Sequence, residues 1–393
     1  MKRTKCLNWT LGFLIGVPIS AVGSADLIAQ TSPSRPMVIG NLEFVASLTG
    51  DQPAGIAISD SGRLFVTFPR HDGVVAFTVG EIKEGRPVAY PTPELNRVAV
   101  DRPAESLFSV QTVQVDASNH LWMLDTGTLQ FGKPPVKGAP KLVEVDLASN
   151  RPVRTILLPT EALVPTSALK DFRFDFHRGQ GGTAFITDSA PGSEALIVLD
   201  LASGHAMRRL TGSAAISARG GQTPIVGFEP LVLMKGGKLK AWLVGINGLE
   251  LSADCKTLYF SAFTGRRLYS IGTGDLSDPA VGNDQVVGEI ADIGDIGVAG
   301  HFSLDVDGGF YFMDMEQNAV YRRTSDGRVH AVVVDPRLIW PDTIALGSDK
   351  YLYVTTSQND LRPEFHDGKD LRQRPYGLYR VFVGSKPVQA RER

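Results

Sequence analysis

The chain alternates apolar and polar residues over short paired segments, and the clearest pair spans residues 110–127. Val113 and Val115 alternate with polar neighbours up to a turn at 116–119, which contains Asp, Ser and Asn. The alternation then resumes at Leu121. A period of two is typical of a β-strand with one face towards a core. A short polar turn between two such strands predicts a β-hairpin.

The same hairpin pattern recurs along the chain in one register. Six first strands end at Ser59, Asp116, Asp175, Ser252, Asp305 and Gly347. A third apolar strand usually follows each pair. Units of about four strands that repeat roughly every 40–50 residues are typical of a β-propeller. We therefore expect an all-β, six-bladed β-propeller. The alternative, two separate β domains of three units each, requires a linker, and no linker interrupts the series.

The predicted propeller spans residues 41–385, and a short tail follows over 386–393. One strand pattern, at 41–48, has no local partner. We expect it to complete the last blade and close the ring, because closure removes exposed strand edges. The predicted blades lie near residues 53–100, 110–158, 170–210, 226–272, 300–335 and 341–383, the last together with strand 41–48.

The N-terminus has the pattern of an export signal. Three basic residues among the first five precede an apolar stretch at 11–22 and small residues at 23–25. We expect a signal peptide over residues 1–25, a flexible leader over 26–40, and export to the periplasm or the extracellular space. The alternative is an uncleaved membrane anchor. The apolar stretch is too short to span a bilayer, so no stable membrane insertion is expected after signal removal.

Composition excludes some partners. The net charge is −2 and no run of five like charges occurs, which argues against nucleic acid and charged membrane surfaces as partners. The 41 glycines and 24 prolines suit many tight turns. Cys6 lies inside the predicted signal, so Cys255 is alone in the mature chain, and we expect no internal disulfide.

One end of the predicted channel gathers polar residues. Counting five places back from the ends of the first strands gives Ala54, Gln111, Lys170, Asn247, Gly300 and Asp342. Counting four places back gives Gly55, Thr112, Asp171, Gly248, His301 and Thr343. The second strands return to the same face and close with Asp125, Asp188 and Asp314. A mouth with several titratable groups over apolar walls predicts a binding site for a small molecule.

Each candidate at this mouth also has a structural interpretation. The three second-strand aspartates are suited to accept backbone N–H bonds in the loops that follow them. His301 fits a buried structural histidine as well as an acid–base group, and Asn247 before a glycine fits a turn. Asp342 follows Trp340 and Pro341, and the rigid proline holds this acidic residue at the channel mouth. No nucleophile elbow, phosphate loop or transition-metal cluster is present in the sequence.

Several segments, in this order, resemble the signature of the yellow / major royal jelly protein family. They are VTFPR at 66–70, QVDASNHLWMLDTG at 114–127, AFITDS at 184–189, GLELS at 248–252 with LYFS at 258–261, and WPD at 340–342. The resemblance covers roughly residues 41–383 and points to the bacterial branch described as dopachrome tautomerase-related. It implies a secreted propeller. Other family members bind small amines or have structural and nutritive roles.

The family is distantly similar to gluconolactonase-like propellers, which hold Ca²⁺ in the channel through a Glu, an Asn before Gly, and a later Asp. Asn247 and Gly248 match the Asn-Gly element. The other two positions are Ala54 and Gly300, which offer no side-chain oxygen. Ca²⁺ prefers six to eight oxygen ligands. Asn247 and Asp342 therefore remain only as weak candidate ligands for Ca²⁺.

Three functions follow as hypotheses. The first is a dopachrome tautomerase-like isomerase acting on a small cyclic, aromatic substrate, with Asp342 as base and His301 or Lys170 as acid or oxyanion stabiliser. The second is a binding protein without turnover, in which Asp342 pairs with a cationic amine while Asn247 and Gln111 orient it. The third is calcium-assisted lactone hydrolysis. The remaining ligand-binding candidates are Asp171, Asp125, Asp188, Asp314 and Trp340.

Overall fold

The hairpin units form antiparallel sheets of four strands each in the computed structural model, which describes residues 38–218 and 222–388. Six such sheets are arranged as a six-bladed β-propeller, which confirms the predicted fold class. The innermost strands of neighbouring blades contact one another around the ring. No helix in the described part of the chain is long and apolar enough to cross a membrane.

The strands follow one another blade by blade. The chain begins with β1 (Leu42–Leu48). Blade 1 contains β2 (Ile56–Ile58), β3 (Leu64–Thr67), β4 (Val79–Lys83) and β5 (Arg86–Ala89). Blade 2 contains β6 (Val110–Val115), β7 (His120–Asp125), β8 (Lys141–Asp146) and β9 (Arg151–Leu157). Blade 3 contains β10 (Leu169–Asp175), β11 (Thr183–Asp188), β12 (Ala195–Asp200) and β13 (Ala206–Arg209).

Two small hairpins precede the fourth blade. They consist of β14 (Ile225–Val226) with β15 (Glu229–Pro230), and β16 (Val232–Lys235) with β17 (Lys238–Ala241). Blade 4 contains β18 (Ile246–Leu251), β19 (Thr257–Ala262), β20 (Arg267–Gly272) and β21 (Ala291–Asp295). Blade 5 contains β22 (Phe302–Leu304), β23 (Phe310–Asp314), β24 (Ala319–Arg323) and β25 (Val329–Val334). Blade 6 contains β26 (Pro341–Leu346), β27 (Tyr351–Thr356), β28 (Tyr376–Phe382) and β1.

Helices are few and short in the described ranges, 38–218 and 222–388. Two α-helices occur there, α1 (Thr273–Ser277) and α2 (Asn283–Gly288), and both lie between β20 and β21. The 3₁₀ turns are Pro103–Glu105, Thr160–Ala162, Phe263–Gly265, Asn359–Leu361 and Pro363–Phe365.

The N-terminal strand closes the ring as expected. β1 pairs antiparallel with β28, from Leu42 opposite Val381 to Leu48 opposite Tyr376. Leu42 and Leu48 are buried against the blade, so the closing strand contributes apolar contacts as well as backbone hydrogen bonds. Residues from the two ends of the propeller therefore share one sheet, in which β1 covers the edge that β28 would otherwise expose.

The hairpin turns are held by a recurring aspartate contact. Asp116 accepts two backbone N–H bonds of its own turn, and its other oxygen accepts the indole N–H of Trp122 at 2.8 Å. Asp305 repeats the arrangement, because it accepts two turn N–H bonds and the hydroxyl of Tyr311 at 3.0 Å. The aspartate thus ties the turn to the second strand, which explains why this residue ends the first strand in several units.

The core lies between adjacent blades. Between blades 2 and 3, Trp122 packs on Phe174 with ring centroids 4.6 Å apart, and Phe172 joins the same cluster. Burial of an aromatic side chain of this kind contributes about 1.5–3 kcal/mol to folding. Since each blade has an apolar face on both sides, the alternating strands of the sequence bury their apolar residues only when neighbouring blades stack.

The fourth blade differs from its predicted extent of 226–272. It begins at Ile246, because the segment before it folds into the two small hairpins, whose Val226 and Leu233 pack against the apolar cluster around Trp340. It ends only at Asp295, because helices α1 and α2 separate its outer strand from the other three.

The predicted signal peptide, residues 1–25, lies outside the described residues, and so does most of the predicted leader, 26–40. From that leader, Ile39 pairs with Val334 through two backbone hydrogen bonds of 3.0 Å. From the predicted tail, Pro387 pairs with Asp305 at the turn of blade 5. These contacts extend the ordered propeller by a few residues at each end.

Candidate functional site

Close approach of the inner strands shapes the channel. A Cβ atom added to Gly248 would lie 2.3 Å from the carbonyl oxygen of Gly300, and one added to Gly55 would lie 2.8 Å from the Cα atom of Thr112. Two positions of the ring therefore require glycine.

Asp342 lies at the predicted mouth and is partly exposed. Its carboxylate accepts a hydrogen bond of 2.6 Å from the hydroxyl of Ser357. Burial raises the pKa of Asp342, and this hydrogen bond together with the positive charges of His301 and Lys170 opposes the rise without cancelling it. Asp342 is therefore a more basic carboxylate than an exposed aspartate, and both predicted partners act on it electrostatically.

His301 forms a dyad with Asp171. Its Nδ1 lies 3.2 Å from an oxygen of Asp171, and both side chains are buried. Asp171 also accepts a hydrogen bond of 2.8 Å from Arg173. Burial raises the pKa of Asp171, but the charges of Arg173 and His301 outweigh burial, so the pKa is lowered overall. The ionised Asp171 orients the imidazole through Nδ1 and leaves Nε2 for other partners.

Lys170 is a cation without a direct partner. In the part of the chain that the structure describes, its ammonium makes no hydrogen bond or ion pair, and it lies 4.6 Å from the ring centroid of Phe131. Burial lowers the pKa of Lys170 to about 8, helped by the charge of Arg362 and opposed by that of Asp342. A lysine of this kind is partly neutral near pH 8 and exchanges protons readily.

Two amide residues complete the predicted ring. Asn247 is partly exposed and Gln111 is buried. Their backbone carbonyls accept hydrogen bonds from threonine hydroxyls on the neighbouring second strands, Thr187 at 2.6 Å and Thr67 at 3.0 Å. A threonine hydroxyl on the second strand of the preceding blade therefore fixes the backbone of the inner strand at each of these two amide residues.

Asp125 and Asp188 have structural partners. Both carboxylates are fully buried. Asp125 accepts three backbone N–H bonds and an ion pair of 2.8 Å from Lys141. Asp188 accepts bonds from Ser167, Ala168 and Ala190 and an ion pair of 2.7 Å from Arg208. Their oxygens are occupied, which corrects their assignment as ligand-binding residues and supports the alternative that they accept loop N–H groups.

Asp314 and Trp340 are both buried. Asp314 accepts a backbone bond of 3.0 Å from Glu316, and burial raises its pKa to about 6. Trp340 is only 3% exposed and packs on Trp242 and Phe263 between blades, which leaves little of its surface for a ligand. Its contribution to the mouth is to place the backbone that leads into Asp342.

A cavity opens at the opposite, turn end of the channel. Its volume is about 160 Å³. Its polar lining includes Gln114, Asp171, Arg173, Glu250, His301 and Ser303. Arg173, in the wall of this cavity, donates two hydrogen bonds to the carboxylate of Glu250, at 3.0 and 3.1 Å. From the sequence we expected only turn residues at this end. In the structure, the dyad of His301 and Asp171 borders the cavity. The charge of His301 also acts on Asp342, which lies towards the other end of the channel.

Loops add three mouth residues that the sequence did not indicate. His71, Phe131 and Arg362 lie in loops that follow second strands of three different blades. His71 packs against Phe131 in a tilted arrangement, with ring centroids 5.6 Å apart, and Arg362 Nη1 lies 3.5 Å from His71 Nδ1. Burial and the charges of Arg362, Lys170 and Arg372 lower the pKa of His71 well below its usual value, so this imidazole is neutral.

The mouth does not fit a calcium ion. The positions that would supply carboxylates are Ala54 and Gly300, and the remaining candidates, Asn247 and Asp342, share the channel with Lys170. An ammonium beside the only carboxylate of the set repels a divalent cation, and too few oxygens remain to replace its hydration shell.

A second group of potential metal ligands lies in blade 2. Single ligand atoms of Asp116, His120 and Glu144 lie within 4.8 Å of one another. The oxygens of Asp116 already accept the turn N–H groups and the indole of Trp122. His120 Nδ1 lies 2.6 Å from Glu144. These contacts make the group part of the turn structure.

Fold and channel together define a six-bladed propeller with titratable groups gathered at the channel axis. The chain belongs to the major royal jelly protein family, whose family model matches residues 108–376. This membership confirms the resemblance found in the sequence.

Individual relatives are distant. Protein yellow of Drosophila subobscura is 26% identical over 321 residues, which cover 75% of this chain and 54% of the fly protein. The chain thus spans about half the length of this relative. A luciferin-regenerating enzyme is similar in structure, with a TM-score of 0.53, 14% identity, and coverage of 90% of this chain and 100% of that chain. Regucalcin, a calcium-binding protein of Agrobacterium tumefaciens, has a TM-score of 0.52, 12% identity, and coverage of 90% and 96%. At these identities the likeness shows the fold alone.

Proposed function

We propose that this propeller binds a small cyclic, aromatic molecule at the channel mouth and isomerises it by proton transfer, as a dopachrome tautomerase-like enzyme. The observation that carries the proposal is that His301 and Lys170 are near enough for their charges to act on the carboxylate of Asp342. Burial raises the pKa of Asp342, which brings the protonation equilibrium of the base closer to neutral pH. Burial also lowers the pKa of Lys170 to about 8, so this lysine is still mostly charged at neutral pH and can stabilise a developing negative charge.

Each residue then has one role in the proton transfer. Asp342 takes a proton from a ring carbon, and the electron pair of that C–H bond moves into the ring system towards an oxygen. His301 gives a proton to that oxygen, so one C–H bond is lost and one O–H bond is formed. Lys170 stabilises the negative charge that develops on the oxygen. Asp171 is a positioning residue, because it holds Nδ1 of His301 at 3.2 Å.

The test is the rate of dopachrome loss with the purified protein, followed by absorbance. We expect acceleration by the wild type, loss of at least about 100-fold in kcat for Asp342→Asn, and a similar loss for His301→Gln. Asp326→Asn is the matched control, because Asp326 forms an exposed pair with Arg328 on the surface. A wild-type rate equal to the background rate would refute the isomerase proposal for this substrate.

A binding protein without turnover is the second candidate. The observation that favours it is the pair of amides, Asn247 and Gln111, in the same ring as Asp342, since amides orient a ligand without exchanging protons. Tight binding that Asp342→Asn weakens, with no product formed, would support this candidate. Calcium-assisted lactone hydrolysis is not proposed, because the mouth does not fit the ion.

Export is part of the proposal and rests on the N-terminal pattern of residues 1–25. We expect the mature protein to begin near residue 26 and to accumulate in the periplasm or the medium. N-terminal sequencing of the protein from cell fractions tests this expectation. Recovery of the uncleaved chain from the cytoplasm would contradict it.

A further inference from the structure

Loop residues form a partly apolar wall beside the proposed catalytic groups. We call His71, Phe131 and Arg362 the recognition shelf. Phe131 is 48% exposed, and the neighbours of its ring are the tilted imidazole of His71 and the ammonium of Lys170. An aromatic ring that is half exposed beside a partly exposed ammonium offers a surface on which another flat ring can stack.

The shelf and Lys170 present donors that lack acceptors. Arg362 is only 7% exposed, and its Nε–H has no hydrogen-bond partner in the described part of the chain. Its other nitrogens contact Asp72, Glu364, Asn359 and His71. The Lys170 ammonium, on a partly exposed side chain, likewise has no direct acceptor there. A buried donor without an acceptor, such as the Arg362 Nε–H, costs roughly 1–3 kcal/mol and leaves the guanidinium charge incompletely compensated. A ligand that carried an acidic group would give Lys170 its acceptor, and the charge of Arg362, which also acts on Lys170, would attract the same group.

The remaining charges do not supply this acceptor. Arg372 is paired with Asp370 and shares Asp72 with Arg362, at 2.8 Å and 3.3 Å respectively. His71 is neutral and accepts a bond from Arg362 through Nδ1. The carboxylates whose charges act on Lys170 are Asp342 and, more weakly, Asp188. Asp188 is already paired with Arg208, and the proposed reaction requires Asp342 as a free base.

We propose that the mouth selects flat rings that carry a carboxylate: the ring stacks on Phe131, and the carboxylate binds between Arg362 and Lys170. This inference rests on the proposed function and names its substrate class. It also opposes the hypothesis of a cationic amine ligand, because an ammonium group placed beside Arg362 and Lys170 would meet like charges.

Binding measured by calorimetry on the full chain tests the inference without any turnover. The probes are indole-2-carboxylate, its uncharged carboxamide, and tyramine. We expect the carboxylate to bind at least about tenfold more tightly than the carboxamide, and tyramine to bind most weakly. Arg362→Gln should remove most of the preference for the carboxylate. Phe131→Ala should weaken the carboxylate and the carboxamide alike, by about 2- to 10-fold.

Two further variants keep the test decisive if Arg362→Gln fails to fold. Arg362→Lys keeps the charge but lacks the guanidinium N–H groups, and it should lose part of the preference. Lys170→Gln should lower the affinity for the carboxylate and leave that for the carboxamide unchanged. Arg328→Gln, on the exposed surface, is the control and should behave as wild type.

Equal affinities for carboxylate and carboxamide, tightest binding of tyramine, or no binding of any probe would overturn the inference. Its failure is separable from failure of the proposed function. Dopachrome turnover without a carboxylate preference would refute the inference alone. A carboxylate preference without dopachrome turnover would refute the isomerase alone.

Discussion

Asp125 is where the structural and functional interpretations of this chain diverge most sharply. Its side chain is 0% exposed and that of Lys141 is 1% exposed, with 2.8 Å between the charged atoms. Three backbone N–H groups donate to the same carboxylate. Asp125→Asn keeps the shape but removes the charge and turns one acceptor into a donor. The buried ammonium of Lys141 then lacks its counter-charge.

The expected cost follows from this geometry. Breaking a buried ion pair by removing one partner costs about 3–5 kcal/mol. The described propeller has about 350 residues, and unfolding entropy is about 2.1 cal/mol/K per residue, so the unfolding entropy of the whole propeller is about 0.7 kcal/mol/K. The shift in Tm is the lost free energy of unfolding divided by this entropy. We therefore expect Asp125→Asn to lower the Tm by about 4–7 °C.

The assay is differential scanning calorimetry at one fixed scan rate, combined with calorimetric titration of indole-2-carboxylate. Asp326→Asn is the control, because an exposed pair contributes about 0–1 kcal/mol. An unchanged Tm for Asp125→Asn together with weakened ligand binding would refute the structural interpretation. Asp125 would then belong to the binding site, as the sequence pattern first indicated.

Three further predictions concern stability. Burial raises the pKa of Asp314 in the folded protein to about 6, above its value in the unfolded chain. The ionised carboxylate therefore lowers the free energy of unfolding at pH values above the folded-state pKa, and this penalty disappears below the unfolded-state pKa, where the group is protonated in both states. Asp314→Asn should therefore raise stability at pH 7 by up to about 3 kcal/mol but not at pH 3, as measured by urea unfolding; equal effects at both pH values would contradict this. Trp122→Phe leaves an oxygen of Asp116 without its indole donor and should cost about 1–3 kcal/mol in the same assay, whereas no loss would contradict the turn contact. Gly248→Ala places a Cβ atom 2.3 Å from a neighbouring carbonyl and should cost about 1–3 kcal/mol, while Gly272→Ala, with open space around it, should cost less than 1 kcal/mol; similar losses would refute the steric argument.

The sequence by itself determined the propeller. Alternation with a period of two and polar turns are local signals, because side chains on a strand point alternately to its two faces. Asp116 and Asp305 could be recognised as turn residues from their place in the repeat. The closing strand at 41–48 followed from the need to pair every edge. The ring of inner-strand positions, with Lys170 and Asp342 in it, came from the same register.

The tertiary structure decided the roles of the polar residues. Similar strand patterns surround three aspartates: Asp125 and Asp188 at the ends of strands, and Asp342 near the start of one. Only contacts across the fold show that the carboxylates of the first two have all their hydrogen-bond positions occupied, whereas the third is partly exposed. Burial and hydrogen bonding depend on neighbours that are distant in the chain, and no local pattern encodes them.

The recognition shelf illustrates the same limit. His71, Phe131 and Arg362 lie in loops of three blades and share no periodicity. They meet only because ring closure brings blade 6 beside blade 1, which places Arg362 against a histidine 291 positions earlier in the chain. Strand patterns therefore specify where the channel is, and the loops that ring closure brings together decide what the channel can bind.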